Sequence, residues 1–350
     1  MKEVRLGIAG AGDVAERHLE GLLLAGGVKV QAIAEPVKER REAFQKAHGI
    51  PFATGDFKLL STSKEIDAVL ILTPHDLHES MTCEALRAGK DVICEKPMAR
   101  STPECDRMLD AARSSGQKLF ITHSLREDFF FRTASRRIKE GALGRLLAGS
   151  FRWLTDELAR LDEPGHWKGT KSRSGGGVLI DGGCHVADLG NALFGRACRA
   201  HAFGKKLVAR RAEVGEDTAV FAVEYETGSM SSFLLTFTAG AGFRPKGGFA
   251  AGMVADLYGT EGHIQGGYFI RDADVRRWCN EARSGEPDKS HYFDGKSRPG
   301  DIDVSILRAL RGEAPPPLTA LDARNAVAVV EAAYQSIATG RVAEVDWRDD

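Results

Sequence analysis

Short apolar segments alternate with helix-length stretches over the first third of the chain. The apolar segments are residues 4–9, 28–34, 68–72, 92–94 and 119–122. The helix-length stretches between them are residues 13–25, 37–48, 75–88 and 103–115. Such alternation is typical of β-α-β units, which build a parallel sheet with helices on its faces. The sequence therefore predicts an α/β domain with a parallel sheet over residues 1–122.

The remaining residues, 123–350, follow a different pattern. Segments with period-two character, which indicates antiparallel strands, are residues 146–155, 218–225, 229–238 and 253–258. Helical patterns cover residues 132–139, 181–193, 302–311 and 321–339. The glycine-rich and charged stretches 240–252 and 283–300 are typical of loops. We therefore expect a second domain of the α+β class.

The charge balance argues against a polyanionic partner. The chain of 350 residues has 48 lysines and arginines against 49 aspartates and glutamates, so no large field exists to hold nucleic acid or an anionic membrane. A small-molecule partner is the better expectation. No run of about 18 apolar residues and no apolar leader segment is present, which favours a cytoplasmic location. The six scattered cysteines lack a C-x-x-C pair, which favours reduced thiols over disulfides or zinc.

A glycine-rich turn follows the first predicted strand. The segment Gly10-Ala11-Gly12-Asp13-Val14-Ala15 opens the first predicted helix and matches the dinucleotide fingerprint of Rossmann domains, with alanine in the third small position. The first glycine permits the tight turn, and the second lets a pyrophosphate approach the helix N-terminus. A turn that only ends a strand is the alternative. We predict a nicotinamide dinucleotide at this turn.

The choice of nucleotide depends on Glu35, which ends the second predicted strand. An acid at this place hydrogen-bonds the adenosine ribose and repels a 2′-phosphate, so the sequence favours NAD over NADP. The neighbouring Lys38, Arg40 and Arg41 could bind a phosphate, and NADP therefore stays open. Alternatively, Glu35 only caps the next helix.

Two further strand ends carry candidate residues. Thr73, Pro74 and His78 follow the segment that ends at residue 72, and Glu95-Lys96-Pro97 follows residues 92–94. Because ligands of open parallel sheets bind beyond the carboxyl ends of the strands, these residues are expected to contact the cofactor. Lys96 could also stabilise developing alkoxide charge or relay a proton. For His78, a capping role without a ligand is the alternative.

Asp181 and His185 follow the glycine run at residues 175–177. They are four residues apart and therefore share one face of a helix. Alcohol oxidation requires removal of a hydroxyl proton, for which histidine is the natural base near neutral pH. A helix cap at Asp181 and a buried structural histidine at His185 are the alternatives. A metal pair lacks a third ligand at suitable spacing, so no metal is expected.

Together these motifs resemble the Gfo/Idh/MocA oxidoreductases, a family named after glucose-fructose oxidoreductase, inositol dehydrogenase and the rhizopine-catabolism enzymes. The matching elements are the Gly10 turn, Thr73-Pro74 with His78, Glu95-Lys96-Pro97, residues 175–185, and the closing segments 309–313 and 331–336. The resemblance covers nearly the whole chain. It implies a Rossmann domain followed by an α+β domain with a large, mostly antiparallel open sheet, and a homodimer or homotetramer formed through that sheet.

The same resemblance implies roles for individual residues. Lys96, Asp181 and His185 would be the catalytic trio. His123 and Arg126 would reach the substrate, although asparagine is frequent in the family where His123 stands. Trp167 and Lys168, in a loop just before the glycine run, would be walls of the substrate pocket, with a structural tryptophan as the alternative.

The resulting hypothesis is an NAD(P)-dependent oxidoreductase that moves hydride between nicotinamide and a secondary alcohol or ketone of a sugar, polyol or cyclitol. Two other functions remain open. One is an NAD-dependent glycosidase that oxidises its substrate transiently, eliminates a group and returns the hydride. The other is a non-catalytic nucleotide-sensing regulator, against which the intact Lys96, Asp181 and His185 argue.

Overall fold

The structure is a computed structural model that describes residues 3–239, 251–271, 274–283, 289–293 and 301–349. The chain divides into two compact units. The first contains the described residues up to Ser124 and those from Asp301 to Arg324; the second contains the others. The chain thus returns to the first unit late in the sequence. The helical pattern at 302–311 gave no sign of this return, because it has no motif that links it to either half.

The first unit is built on a parallel sheet. Its described strands are β1 (Val4–Ala9), β2 (Val28–Ala34), β3 (Phe52–Thr54), β4 (Ala68–Ile71), β5 (Asp91–Glu95) and β6 (Leu119–Thr122). They lie in the order β3-β2-β1-β4-β5-β6, and their described pairings are all parallel. Strands such as β4 are buried along their whole length, as is typical of a sheet covered on both faces. The predicted α/β class is confirmed.

Most helices of the first unit alternate with these strands. They are α1 (Ala15–Ala25), α2 (Lys38–His48), α3 (Phe57–Ser61), α4 (His78–Arg87) and α5 (Thr102–Ser115). The helix α10 (Asp301–Leu310) belongs to the late segment that returns to this unit. Gly49 and Gly116 end α2 and α5 in the left-handed conformation, which is the usual glycine stop. The sequence analysis missed β3 and α3, because elements of three and five residues are too short to show a period.

The strand order reverses at β1, which lies between β2 and β4. In open α/β sheets the crevice at such a reversal binds ligands beyond the carboxyl ends of the strands. Gly10 follows β1 directly, and Thr73 lies two residues after the end of β4. The fold therefore brings these two predicted cofactor contacts to the same edge of the sheet.

The second unit contains a larger, mostly antiparallel sheet, as predicted. Its described strands are β7 (Leu146–Leu154), β8 (Ala197–Lys205), β9 (Thr218–Tyr225), β10 (Met230–Thr236), β11 (Ala251–Gly259), β12 (Gly262–Arg271), β13 (Asp274–Arg283), β14 (Lys289–Phe293) and β15 (Ala343–Glu344). They lie in the order β14-β13-β12-β11-β7-β10-β9-β8-β15. One described pair, β7 with β10, is parallel.

The prediction of a loop over residues 283–300 is wrong in part. Strand β14 occupies residues 289–293 of this stretch and pairs with β13. The charges and glycines there obscured a short strand whose pairing depends on a distant neighbour. The other predicted loop, residues 240–252, lies outside the described residues except for its last two, which begin β11.

The helices of the second unit are α6 (Phe129–Lys139), α7 (Leu158–Asp162), α8 (Lys171–Ser174), α9 (Cys184–Phe194) and, from Asn325 onward, α11 (Ala320–Thr339). A π-helical turn, Leu179–Gly183, leads into α9. Together the turn and α9 cover the helix predicted over residues 181–193. Single π-turns are rare and occur frequently at functional sites.

A row of aromatic rings forms part of the buried face of the large sheet. Phe151, Phe233 and Phe221 lie directly opposite one another on β7, β10 and β9. Their rings stack with centroid separations of 5.1 Å and 4.4 Å, and such cross-strand pairs stabilise a sheet. The core of this unit is therefore built on one face of the sheet.

Candidate functional site

The turn after β1 requires glycine at its first position. Gly10 has a φ of 96°, a conformation that residues with a Cβ rarely adopt. A Cβ on Gly10 would also lie 2.7 Å from the carbonyl oxygen of Leu72. The Gly10 amide donates to the carbonyl of Ala34, at 2.8 Å. The turn is therefore packed tightly between the ends of β2 and β4.

The next positions leave room for a ligand at the start of α1. A Cβ on Gly12 would meet nothing within 4 Å among the described residues. Val14, the N-cap residue of α1, makes no side-chain capping hydrogen bond. The fingerprint's third small residue, Ala15, is fully buried. A helix N-terminus with open space beside Gly12 fits a pyrophosphate, so the residues present agree with a dinucleotide.

Glu35 joins the end of β2 to the glycine turn. One carboxylate oxygen accepts from the Ala11 amide at 2.9 Å and the other from the Val37 amide at 3.0 Å. The side chain is buried, and the Arg41 guanidinium donates to the backbone carbonyl of Glu35 at 2.7 Å. These contacts fix a carboxylate beside the turn, where a ribose acceptor is expected. The contact with Val37, the N-cap residue of α2, also supports the capping role.

His78 connects two strand ends. It is fully buried, and its ring nitrogens lie 2.9 Å from the carbonyl oxygens of Thr73 and Pro97. Burial lowers the pKa of His78 despite these two acceptors, and a neutral imidazole donates to one of them at a time. The ring thus holds the turn that contains Lys96 against the end of β4. A direct cofactor contact by His78 stays a prediction.

Thr73 lies beyond the end of β4, where a cofactor contact was predicted. Its hydroxyl oxygen is buried and has no hydrogen-bond partner among the described residues. Since buried hydroxyls are normally satisfied, this oxygen agrees with the predicted cofactor contact, which stays a prediction. Pro74 directly precedes a short 3-10 helix, and its carbonyl accepts from the Leu77 amide at 3.0 Å.

Glu95 takes part in a buried ionic triad directly before Lys96. His18 on α1 lies 2.9 Å from Glu95 through Nε2 and 2.7 Å from Asp303 on α10 through Nδ1. Burial alone lowers the pKa of His18, but the two carboxylates outweigh it and raise the value to about 9. Burial likewise opposes ionisation of Glu95, yet His18, Lys96 and Arg17 hold its pKa well below the usual range. At neutral pH both groups are charged.

His18 and Asp303 were not predicted from the sequence. Each is one of several polar residues in an ordinary helix, and 285 positions separate them in the chain. No local pattern pairs residues so far apart.

In the second unit, glycines allow two polar groups to approach the turn before Asp181. A Cβ on Gly177 would overlap the backbone of Glu216, and one on Gly176 would overlap the Tyr334 hydroxyl. The Glu216 carboxylate accepts from the amides of Gly177 and Leu179 at 3.1 Å and 3.0 Å, and from the Tyr334 hydroxyl at 2.7 Å. Burial raises the pKa of Glu216. The glycine run thus serves to fix the π-turn.

Asp181 and His185 are both more than nine-tenths buried. The Lys168 ammonium donates to Asp181 at 3.0 Å. His185 stacks on Trp153, with ring centroids 5.1 Å apart. A Cβ on Gly182 would lie 2.6 Å from the Trp153 ring, so this glycine lets the indole reach the turn. The contact of Trp153 with His185 was not predicted, because the position of Trp153 on a period-two strand shows only which face of the sheet it lies on.

The remaining predicted residues differ in what surrounds them. Arg126 makes a two-pronged ion pair with Asp188 at 2.7 Å and 2.8 Å, so its guanidinium is already engaged, whereas the sequence suggested a substrate contact. Trp167 stacks on His166. His123 is buried at the end of β6. Substrate contacts by these residues stay predictions.

The structure brings Asp181 and His185 together in one helical segment of the second unit, while Lys96 belongs to the first. None of the described helices is long and apolar enough to cross a membrane. Among the described residues, no group of three or more His, Cys, Asp or Glu side chains could hold a metal ion.

Comparison with known proteins agrees with this geometry. Residues 4–123 match the family described as "Oxidoreductase family, NAD-binding Rossmann fold" (GFO_IDH_MocA), and residues 131–265 match the "GFO/IDH/MocA C-terminal domain". The two matches define an NAD-binding oxidoreductase. The chain belongs to the Gfo/Idh/MocA family, and the resemblance found in the sequence is confirmed.

Similar proteins include enzymes named for sugars and polyols. The chain is 28% identical to the 1,5-anhydro-D-fructose reductase of Ensifer adhaerens, over 98% of each chain. It is 23% identical to the myo-inositol 2-dehydrogenase of Thermotoga maritima, over 65% of this chain and 66% of that one. The structure of levoglucosan dehydrogenase in complex with NADH has a TM-score of 0.85 at 20% identity, over 99% of this chain and 100% of that one. The last comparison shows a shared fold.

Proposed function

We propose that the protein is an NAD-dependent oxidoreductase that interconverts a secondary alcohol and a ketone on a sugar, polyol or cyclitol. The observation that carries the proposal is the pair Asp181 and His185, two polar side chains buried together in one helical segment. Burying an ionisable group costs free energy unless it is paired, as Asp181 is with Lys168, and buried ionisable groups cluster at functional sites. The relatives named for sugars and polyols support the substrate class.

The chemistry follows from the residue types. When bound, NAD supplies the carbon that accepts or donates hydride. His185 takes the hydroxyl proton during oxidation and returns one during reduction, which is the usual work of imidazole near neutral pH. Asp181 accepts a hydrogen bond from a substrate hydroxyl or orients His185. Lys96 stabilises the negative charge that develops on the reacting oxygen.

The cofactor is NAD rather than NADP because of Glu35. Its carboxylate is fixed beside the glycine turn by the amides of Ala11 and Val37, and an acid there repels a 2′-phosphate. Arg41, one of the basic residues noted above, donates a hydrogen bond from its guanidinium to the Glu35 carbonyl. In this arrangement the Arg41 guanidinium binds the backbone.

We further propose a cytoplasmic homodimer or homotetramer that associates through the large sheet. Phe203, Val220 and Leu234 lie opposite one another on β8, β9 and β10 and are 67%, 47% and 37% exposed in the single chain. They occupy the face opposite the buried aromatic row. Contiguous apolar patches of this kind mark association surfaces.

The experiment that tests the proposal measures reduction of NAD and NADP over a panel of sugars, inositols and sugar acids, with the ketone products assayed in reverse. We expect NADH to accumulate with at least one polyol or sugar. Cleavage of a glycoside without net NADH would instead identify an eliminating glycosidase. Absence of turnover across the panel, with a stoichiometric protein partner recovered, would overturn the proposal in favour of a regulator.

A further inference from the structure

Lys168 forms an ion pair with the proposed catalytic carboxylate. Its Nζ lies 3.0 Å from Asp181 Oδ2 and 3.6 Å from Glu157 Oε2. The side chains of Lys168, Asp181 and Glu157 are 18%, 12% and 20% exposed. Charges that are largely removed from water interact more strongly than pairs on the surface. The three groups therefore act as one electrostatic unit.

The backbone around Lys168 is fixed. The residue lies in the 3-10 helix Trp167–Gly169, and its amide donates to His166 Nδ1 at 3.3 Å. A Cβ on Gly169 would overlap the carbonyl oxygen of Leu161 on α7, so only glycine allows this close approach. Lys168 is consequently presented to Asp181 from a packed turn.

The surroundings of the Lys168 ammonium stabilise its positive charge, which two carboxylates already balance. Its Nζ lies 5.9 Å from the ring centroids of both Trp167 and Phe237, a distance at which aromatic faces stabilise positive charge. The Arg160 guanidinium donates at 3.1 Å to Oε2 of Glu157, the same oxygen that Lys168 faces. These four described side chains therefore contain two cations and two carboxylates, whose charges balance.

We propose that Lys168 is a positioning residue that keeps Asp181 ionised and oriented as a hydrogen-bond acceptor for a hydroxyl of an uncharged sugar or polyol. This inference rests on the proposed function and deepens it by naming the charge class of the substrate. An ionised carboxylate accepts hydrogen bonds only, so it suits a hydroxyl. A carboxylate or phosphate on the substrate would compete with Asp181 and Glu157 for cations that these two carboxylates already bind.

The first test compares wild type with Lys168→Met, Lys168→Arg and Glu157→Gln, with the exposed Lys171→Met as the matched control. Removing the ammonium takes a positive charge away from Asp181 and from the helical segment that holds the base His185, which favours the protonated forms of both, so the acid limb of the kcat/KM profile should move to higher pH in Lys168→Met. We expect kcat/KM at neutral pH to fall on the order of 30-fold, the effect of truncating a buried charge pair. Lys168→Arg should restore the acid limb. Glu157→Gln should move it to lower pH, because Lys168 is then left to Asp181 alone.

The second test separates this inference from the proposed function. The carboxyl ¹³C signal of Asp181, assigned with Asp181→Asn, should titrate at higher pH in Lys168→Met than in wild type, a readout that needs no turnover. If Asp181 titrates at the same pH in Lys168→Met and wild type, and the acid limbs of their kcat/KM profiles coincide, the role of Lys168 is overturned, even if the protein oxidises alcohols. A shifted titration in a protein that oxidises no alcohol would leave the ion-pair role intact and overturn the proposed function.

The substrate class is tested on wild type with a neutral sugar and the matching uronic acid. We expect kcat/KM to be at least about 10-fold higher for the neutral sugar, because the cations of this cluster are already bound to Asp181 and Glu157. If Lys168→Met does not fold, the shift of the acid limb to lower pH in Glu157→Gln, absent in Lys168→Arg, still decides the electrostatic role. Equal use of the uronic acid would overturn the assignment to uncharged substrates.

Discussion

His18 Nε2 lies 2.9 Å from Oε1 of Glu95, the residue directly before Lys96. The same ring binds Asp303 through its other nitrogen, at 2.7 Å. An imidazolium between two carboxylates therefore links α1, the end of β5 and α10 within the first unit. Because Lys96 follows Glu95 in the chain, this ion triad also anchors the backbone from which the lysine projects.

The triad predicts how stability depends on pH. The pKa of His18 is raised to about 9 in the folded protein, against ~6.5 in an unfolded chain. A raised pKa contributes stability that is complete below the unfolded value and is lost as the pH rises through the folded value. The shift corresponds to roughly 3 kcal/mol at most, at 1.36 kcal/mol for each pKa unit.

Urea unfolding at pH 7 and pH 9.5 checks this prediction. Between the two pH values wild type should lose roughly 2 kcal/mol more unfolding free energy than His18→Gln, whose amide does not titrate. The exposed His48→Gln serves as the control and should behave as wild type does. Equal losses in wild type and His18→Gln would show that His18 is not charged in the folded protein.

Cofactor choice is expected to depend on the charge of Glu35. Glu35→Gln removes the negative charge and keeps an acceptor for a neighbouring amide. The ratio of kcat/KM for NAD to that for NADP should fall by about 10-fold or more, since a carboxylate repels the 2′-phosphate. Glu39→Gln, an exposed change on α2, should leave the ratio unaltered. An unchanged ratio in Glu35→Gln would assign the residue to helix capping alone.

We expect the oligomer to dissociate when a charged side chain replaces one of the exposed apolar residues Phe203, Val220 and Leu234 on the large sheet. Leu234→Lys should shift the molar mass measured by light scattering towards the 37.9 kDa of one chain, because burying an unpaired ammonium in an interface is costly. Leu59→Lys, on the exposed side of α3, is the control. A mass equal to that of wild type would place the interface elsewhere.

The parts that the sequence predicted well are local. The turn at Gly10 and the helix stops at Gly49 and Gly116 depend on residues a few positions apart, so their chemistry is visible in the chain. The placement of Asp181 and His185 in one helical segment was visible for the same reason, because the two residues are four positions apart; their catalytic role stays a prediction.

The parts that it missed depend on contacts between distant residues. The pairing of His18 with Asp303 and the contact of Trp153 with His185 join segments that the fold alone brings together. The ion pair of Arg126 with Asp188 was likewise not visible in the sequence, while the substrate contact that the family resemblance implies for Arg126 stays a prediction. Strands β3 and β14 are too short for a period to show, and β14 depends on pairing with β13.

In the proposed reaction, His185 transfers the hydroxyl proton and Lys96 stabilises the charge that develops on the reacting oxygen. The most direct measurement is the steady-state kcat of Lys96→Ala and His185→Ala with the substrate that the panel identifies, beside the exposed controls Lys58→Ala and His48→Ala. We predict a loss of about 10²- to 10⁴-fold in each site variant, with cofactor binding retained, and near-native rates in the controls. Near-native kcat in both Lys96→Ala and His185→Ala would show that neither side chain takes part in the reaction.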